Sequence, residues 1–195
     1  MISSYPHKDF EKYLIIHIYN NNGKLLRQFL KPKIFDFQPF NLNGNLINFT
    51  IDENDNIYVV FYYQNRIEKY SPEGKLFMKI DRPLDFKLIH KKKTRKLSSG
   101  EIVETPDMMR VSEGIGVDHK WRIWVVTYRK QRTEEEPELF KFDILDNEGV
   151  YLGSLPADEY KYTENIQKMK IHGDRLFIID TYEEMCLYEY RIVEK

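Results

Sequence analysis

The sequence is poor in several features that whole classes of protein require. Its 195 residues contain one cysteine, Cys186, which excludes an internal disulfide and a cysteine-held zinc or iron–sulfur centre. No apolar run approaches the roughly 20 residues that cross a bilayer, so no membrane span is predicted. The first ten residues include Pro6, His7, Lys8 and Asp9, and this composition is unlike the apolar stretch of a signal peptide.

Neither sign of charge dominates the chain. It has 30 basic and 31 acidic residues, whereas a nucleic-acid-binding protein more often shows a clear basic excess. Alanine, the best helix former, occurs once, at Ala157, while Tyr and Phe supply most of the 14% aromatic residues. This composition predicts sheet, and it speaks against nucleic acid as a partner.

Two kinds of segment recur along the chain. The first is an apolar residue, a polar turn and an apolar run, and it covers residues 51–60, 117–126 and 171–179. Each copy is typical of two strands joined by a tight turn, with a second strand that is apolar on both faces. The second kind is a hairpin with a fixed glycine, and it covers residues 16–26, 67–77 and 142–152. The glycine stands where a hairpin turn needs positive φ.

In chain order these segments predict an all-β fold, a β-propeller of four-stranded antiparallel blades that forms one domain over residues 1–195. The predicted blade portions are residues 13–30, 46–80, 114–155 and 169–193. The first portion gives the last two strands of a blade, the next two are complete, and the last lacks its fourth strand. The spacing of the repeats fits units of roughly 40–50 residues with one long insertion, at 83–113.

A resemblance to a known family is carried by the segments D-E-N-D-N-I-Y-V-V…N-R-I-E-K-Y-S-P-E-G-K-L and V-D-H-K-W-R-I-W-V-V. They resemble six-bladed β-propellers of the NHL-repeat type, and in particular bacterial members of unassigned function. The final segment, D-R-L-F-I-I-D…L-Y-E-Y-R-I-V-E, is similar to the end of such chains. These motifs are structural, so the resemblance implies a fold and says almost nothing about function.

The length of the chain bears on the number of blades. Six blades need about 240–300 residues at the usual repeat length. We therefore expect a C-terminal portion of a longer propeller, exported or periplasmic if an N-terminal part is missing. An incomplete ring exposes apolar sheet faces, so we expect it to self-associate. The alternative is a four-bladed ring in which the strand at 24–30 completes the last blade.

No motif predicts a catalytic or metal centre. Residues 52–56 begin like a calcium loop, but Ile57 and Tyr63 stand where that loop needs Gly and Glu, so a capped β-turn is the better interpretation. The five histidines lack metal-ligand spacing, and we assign no metal and no cofactor. The chain has no G-x-S-x-G motif, and Cys186 is predicted to be a small buried apolar residue.

Two long connections are predicted to emerge on one face of the propeller, at residues 83–113 and 129–138. Insertions concentrated on one face usually mark the binding face, although loops also tolerate insertion without function. The basic run at 91–96 is either a solvated loop, the commoner case, or an anion-binding patch, and the acidic run at 134–136 is equally typical of solvated chain. The candidate binding residues at or beside these connections are Tyr63, Gln64, Arg66, Met109, Arg110, Tyr128, Arg129 and Gln131.

These observations predict a non-catalytic binding or scaffold module that recognises a protein, peptide or glycan on the insert-bearing face. The alternative is a metal-dependent enzyme of the six-bladed lactonase or lyase kind, in which carboxylates, Asn or His from several blades hold a metal at the central channel. The equivalent positions of these blades supply no repeated polar ligand set, which favours the binding module. Metal analysis of the purified protein distinguishes the two classes.

Overall fold

The structure is a computed structural model that describes residues 2–4, 13–129, 140–157, 168–180 and 186–193. Within these ranges the chain forms strands and one short helix. In chain order they are β1 (Ile2–Ser4), β2 (Ile16–Tyr19), β3 (Leu25–Phe29), α1 (Gln38–Gly44), β4 (Ile47–Ile51), β5 (Ile57–Phe61), β6 (Arg66–Tyr70), β7 (Leu76–Asp81), β8 (His90–Lys96), β9 (Ile102–Met108), β10 (Ser112–Val117), β11 (Ile123–Tyr128), β12 (Phe140–Leu145), β13 (Tyr151–Pro156), β14 (Lys168–His172), β15 (Arg175–Asp180) and β16 (Cys186–Arg191).

The strands form antiparallel sheets in which neighbours in sequence are neighbours in space. Strands β4 to β7 and β10 to β13 form four-stranded sheets, whereas β1 to β3 and β14 to β16 form three-stranded sheets. Strand β10 lies beside β4 and β14, so the first strands of three successive sheets adjoin, as they do around a propeller axis. The predicted all-β fold with four-stranded antiparallel sheets is therefore confirmed.

Strand β1 and helix α1 lie outside the predicted blade portions. Strand β1 pairs with β2 and gives the first sheet a third strand. Strand β3 pairs with β2, and the described part of the last sheet contains β14 to β16 without the strand that the four-bladed alternative needs there. Helix α1 lies between β3 and β4, and the described residues contain no helix long and apolar enough to cross a membrane.

The insertion at 83–113 contains a two-stranded hairpin of β8 and β9. The basic run lies in β8, so it is exposed to solvent as predicted, but it forms a strand where a loop was predicted. Two of its cations pair across the hairpin, Lys92 with Glu104 at 3.4 Å and Lys93 with Asp107 at 2.9 Å. The acidic run at 134–136 lies outside the described residues.

Each sheet packs on the next through alternate side chains of its second strand. In β5, Ile57 and Val59 face the first sheet, whereas Tyr58 faces the sheet of β10 to β13. In β11, Val125 and Trp124 repeat this alternation toward the preceding and following sheets. Because successive side chains of a strand point to opposite faces, a strand between two sheets is apolar at every position.

Hairpin glycines fix the turns between third and fourth strands. Gly23, Gly74 and Gly149 have φ angles of 74°, 84° and 89°, so the predicted positive φ is confirmed. Two of these glycines also pack so closely against the preceding sheet that a side chain would not fit. A Cβ at Gly74 would stand 2.7 Å from the Phe29 ring, and one at Gly149 would stand 2.8 Å from Ile80.

A buried arginine joins the two four-stranded sheets. Arg82 follows β7, and its side chain enters the sheet of β10 to β13, where its exposed fraction is 0%. Its Nη1 donates to the Asp143 carboxylate at 2.6 Å and to the Thr127 hydroxyl, and its Nη2 donates to the Ser112 hydroxyl. The Lys141 ammonium lies 3.5 Å from the second Asp143 oxygen. One side chain thus contacts three strands of the neighbouring sheet.

The Arg82 guanidinium keeps its charge in this position. Burial lowers the pKa of Arg82 to about 10, the Asp143 carboxylate opposes that fall, and the result lies well above neutral pH. A charge removed from water is tolerated when it is paired and hydrogen-bonded. The joint between the sheets therefore depends on both partners.

We predict that Gly74→Ala and Gly149→Ala destabilise the fold more than Gly23→Ala. A side chain in the left-handed region costs about 1–2 kcal/mol at any of the three turns. At Gly74 and Gly149 the new methyl also meets the neighbouring sheet, whereas no atom lies within 4 Å of a Cβ at Gly23. Chemical denaturation of the three variants measures the difference, and equal losses would contradict the packing role.

Arg82→Met should lower the free energy of unfolding by about 3–5 kcal/mol, because it leaves the buried Asp143 carboxylate without its guanidinium. The double variant Arg82→Met/Asp143→Leu should recover part of that loss. Arg175→Gln serves as a control, since the Arg175–Glu189 pair at 2.9 Å is more than half exposed and should contribute less than about 1 kcal/mol. Similar losses in the buried and exposed variants would show that Arg82 does not hold the sheets together.

Candidate functional site

Three segments meet on the insert-bearing face. Residues 62–65 link β5 to β6, residues 109–111 lead from the hairpin into β10, and Tyr128 ends β11. The Val111 amide donates to the Tyr62 carbonyl at 2.7 Å, and the Tyr128 amide donates to the Val111 carbonyl at 3.0 Å. Backbone hydrogen bonds therefore fix the three segments relative to one another.

An arginine is held there between two tyrosines and a carboxylate. The Arg110 guanidinium lies 4.8 Å from the Tyr62 ring centre and 5.8 Å from that of Tyr128, within the range of cation–π attraction. Its Nη2 donates to Glu113 at 2.7 Å, and the Tyr128 hydroxyl donates to the other Glu113 oxygen at 3.1 Å. We call these four residues the Arg110 cluster. The Arg110 side chain is 38% exposed, although its Nε is buried.

Burial governs the protonation of this cluster. Glu113 is 4% exposed, and burial raises its pKa while Arg110 and the Tyr128 hydroxyl oppose the rise. The pKa of Tyr62 and that of Tyr128 are raised as well, by burial first and then by the Glu113 carboxylate. Both phenols therefore stay neutral at physiological pH, and the partly exposed Arg110 side chain carries the positive charge of this site.

Five of the predicted binding residues lie at or beside the Arg110 cluster. Arg110 and Tyr128 belong to it, and Tyr63 lies close enough to act on the pKa of Tyr128. Arg129 is half-buried directly after Tyr128, and Met109 is 36% exposed directly before Arg110. The structure thus brings together residues from two separate predicted connections.

Two predicted residues are instead buried within the fold. Gln64 is 4% exposed, and its Nε2 donates to the Gly44 carbonyl of α1 at 2.5 Å. Arg66 is 8% exposed, lies 4.0 Å from the Phe61 ring centre and pairs with Glu68 at 3.4 Å. The expectation that Gln64 and Arg66 face a partner is therefore corrected, because both side chains are buried within the fold.

Three residues of this site are not among the predicted ones: Tyr62, Glu113 and Asn48. The Asn48 Nδ2 donates to the Glu113 carbonyl at 3.0 Å. Tyr62 had a signal, since two adjacent tyrosines directly follow an apolar strand. Glu113 and Asn48 had none, because one acidic residue at the start of a strand and one Asn within a strand are common. Gln131, the remaining predicted residue, lies outside the described residues.

The opposite face carries a depression where turns from three sheets converge. Its volume is about 280 Å³, and its lining comes from residues within 50–53, 117–121 and 170–173. These are the turns between the first and second strands. The His119 amide donates to the Gly173 carbonyl at 3.1 Å and joins two of the turns directly.

The turn at 52–56 is a capped β-turn, as the sequence predicts. The Asp52 carboxylate accepts hydrogen bonds from the Asn54 and Asn56 amides at 2.9 Å each. In the part of the chain that the structure describes, no group of three or more His, Cys, Asp and Glu side chains is placed to hold a metal ion. Cys186 is half-buried at the start of β16, so its predicted full burial is corrected.

Comparison with known proteins bears on the fold of the chain. No protein-family model matches it, and no curated protein matches its sequence. Among solved structures, a member of the DUF4221 family from Bacteroides vulgatus aligns over 98% of this chain and 59% of its own, with 9% identity and a TM-score of 0.50. The fold is propeller-like. At this identity the likeness shows the fold alone, and the chain spans less than two thirds of that neighbour's length.

Two lyase structures are also similar, at lower scores. Virginiamycin B lyase from Staphylococcus aureus aligns over 100% of this chain and 84% of its own, with 12% identity and a TM-score of 0.31. A streptogramin B lyase aligns over 100% of this chain and 83% of its own, with 10% identity and a TM-score of 0.32. Similarity at this level carries no argument about the chemistry of this propeller-like chain.

We predict that Glu113→Gln changes how stability depends on pH. Burial raises the pKa of Glu113 in the folded protein, so the carboxyl loses its proton more readily in the unfolded chain. Wild-type stability contributed by this group is therefore present below the unfolded pKa, about 4.3, and is lost as pH rises through the folded pKa. Between these two pKa values the free energy of unfolding of wild type should fall as pH rises. Glu113→Gln should not show this fall, so its stability relative to wild type should increase.

Tyr128→Phe provides a second test of the same group. It removes a hydroxyl whose hydrogen bond lowers the Glu113 pKa. The pH-dependent loss of stability should then extend to higher pH than in wild type. If the free energies of unfolding of wild type and Glu113→Gln differ by the same amount at every pH, the assignment is contradicted.

Proposed function

We propose that this chain is a non-catalytic binding module that recognises a protein or peptide segment on its insert-bearing face. The observation that carries the proposal is the convergence of Tyr62, Arg110 and Tyr128 from three segments of the chain onto one partly exposed site. Tyr and Arg are enriched among the residues that dominate binding energy at protein interfaces. Of the predicted ligand classes, protein, peptide and glycan, these residue types favour the first two.

The charge of this face favours an acidic segment. The Arg110 side chain is 38% exposed, and its guanidinium can donate to a carboxylate of a partner in addition to Glu113. The same connection carries β8, whose exposed strand H-K-K-K-T-R-K holds more cations than the two acidic partners on β9 neutralise. A positively charged surface attracts an acidic partner and orients it.

The NHL-repeat type and the six-bladed ring belong to this proposal and stay predictions. They rest on the family resemblance of the two sequence segments, and the succession of antiparallel sheets supports them. Self-association of an incomplete ring also stays a prediction. It is supported by apolar side chains exposed on the last sheet, such as Leu187 at 65%.

A random peptide library displayed on phage and selected on the purified protein tests the binding function. We expect the recovered peptides to be rich in Asp and Glu. Arg110→Gln and Tyr63→Ala should each weaken their binding about tenfold or more, the loss expected when an interface anchor worth about 1.4 kcal/mol is removed. Fluorescence titration of a synthetic peptide against each variant measures the loss.

The control is Leu152→Gln, which changes a side chain that is 56% exposed on the outer strand β13. Its affinity for the peptides should equal that of wild type. Melting temperatures of all variants separate loss of binding from loss of folding. Recovery of peptides that lack acidic residues, or that bind Arg110→Gln as tightly as wild type, would sink the proposal.

A further inference from the structure

Trp121 lines the depression on the opposite face in a backbone conformation that its residue type disfavours. Its φ is 64°, in the left-handed region. The turns of the neighbouring sheets place Asp55, with φ of 60°, and Gly173, with φ of 63°, in the same conformation. Asp and Gly adopt it readily, whereas a bulky side chain is an outlier there.

The turn itself does not need an indole. The Trp121 amide donates to the Asp118 carbonyl at 2.9 Å, and the Asp55 amide donates to the Asp52 carbonyl at 3.1 Å. The two aspartate side chains also cap the amides that follow them in the same way. Asp55 forms the same turn with a residue type that tolerates this conformation better, so the turn alone does not account for Trp121. The outlier motivates a role for the Trp121 side chain in the depression.

The polar groups around the indole both donate and accept hydrogen bonds. His119, His172, Lys170 and Glu53 are exposed, and all four line the depression with Trp121. Sites for small ligands combine an apolar or aromatic surface with a few polar groups that fix orientation. A sugar ring fits this combination, because its C–H face stacks on an aromatic ring while its hydroxyls donate and accept at the edge.

The charge of the lining speaks against an anionic ligand. The carboxylates of Asp52, Glu53 and Asp118 line the depression with the ammonium of Lys170, and Asp118 is paired with the Arg122 guanidinium at 2.7 Å. A phosphate, sulfate or carboxylate would therefore meet more negative than positive charge. Two of these carboxylates, those of Asp52 and Asp118, already accept hydrogen bonds from their own turns, which leaves them poorly available as metal ligands.

We propose that this depression binds a neutral oligosaccharide, with Trp121 as the stacking surface and His119 and His172 as hydrogen-bonding partners. Its volume of about 280 Å³ suits one sugar ring of a longer chain that continues into solvent. The site lies on the face opposite the Arg110 cluster, so it stands independently of the proposed peptide site.

A printed glycan array probed with fluorescently labelled protein tests the proposal. We expect wild type to bind neutral oligosaccharides and Trp121→Asn to lose at least tenfold in affinity for them. Trp121→Asn should also melt at a higher temperature than wild type, because Asn removes the backbone strain. Trp121→Phe keeps an aromatic surface and should retain part of the binding.

Intrinsic fluorescence locates the ligand. The chain has two tryptophans, and Trp124 is 5% exposed with its Nε1 bonded to Asp118, so a change on titration with the array-identified oligosaccharide should come from Trp121 and vanish in Trp121→Phe. Leu26→Gln, on the exposed outer side of β3, should bind as wild type does. The proposal is overturned if wild type binds no neutral glycan on the array or binds acidic glycans alone. It is also overturned if Trp121→Asn binds neutral glycans with the same affinity as wild type.

Discussion

The buried contact between Arg82 and Asp143 sets the relation between the two four-stranded sheets. Apolar packing between sheets has no directional preference, so it alone does not fix one position along the strands. A guanidinium with its donors in a rigid fork does, because Asp143 and Ser112 must both be within reach. The Ser112 amide also donates to the Tyr62 carbonyl at 3.3 Å. The position of the Arg110 cluster therefore follows from the same interaction.

A related charge pair recurs within each of these sheets. Glu68 and Asp143 occupy equivalent register positions on β6 and β12, and both are buried. Each acid has a basic residue two positions earlier on its own strand, Arg66 at 3.4 Å and Lys141 at 3.5 Å. Residues two apart on a strand share a face, so the repeat itself brings the charges together. Arg82 also pairs with Asp143, so the charge pair within the sheet of β10 to β13 is connected to the sheet of β4 to β7.

The strands and hairpins could be predicted from the sequence because their signals are local, whereas the contents of the insertion and the joints could not. Alternation along a strand and glycine at a turn need no knowledge of the neighbours. Exposed basic residues fit an exposed strand as well as a loop, which is why β8 was missed. Gln64 and Arg66 have polar side chains of the surface type, and their burial is decided by α1 and Phe61. Arg82, directly before Pro83, looks like the start of a solvated connection.

Both candidate sites lie where a residue departs from what the repeat requires. Glu113 places a carboxylate in a buried strand, and Trp121 places an indole where the neighbouring turns have Asp or Gly. Departures of this kind are expected at functional positions, since a residue chosen only for packing would follow the pattern of the repeat. The two sites are also connected, because β10 carries Glu113 near one end and leads at the other into the turn of Trp121. Arg82 holds this strand on one side, and on the other Gly116 packs so closely on Ile171 that an added Cβ would stand 2.8 Å away. A strand fixed on both sides gives the two proposed sites a rigid support.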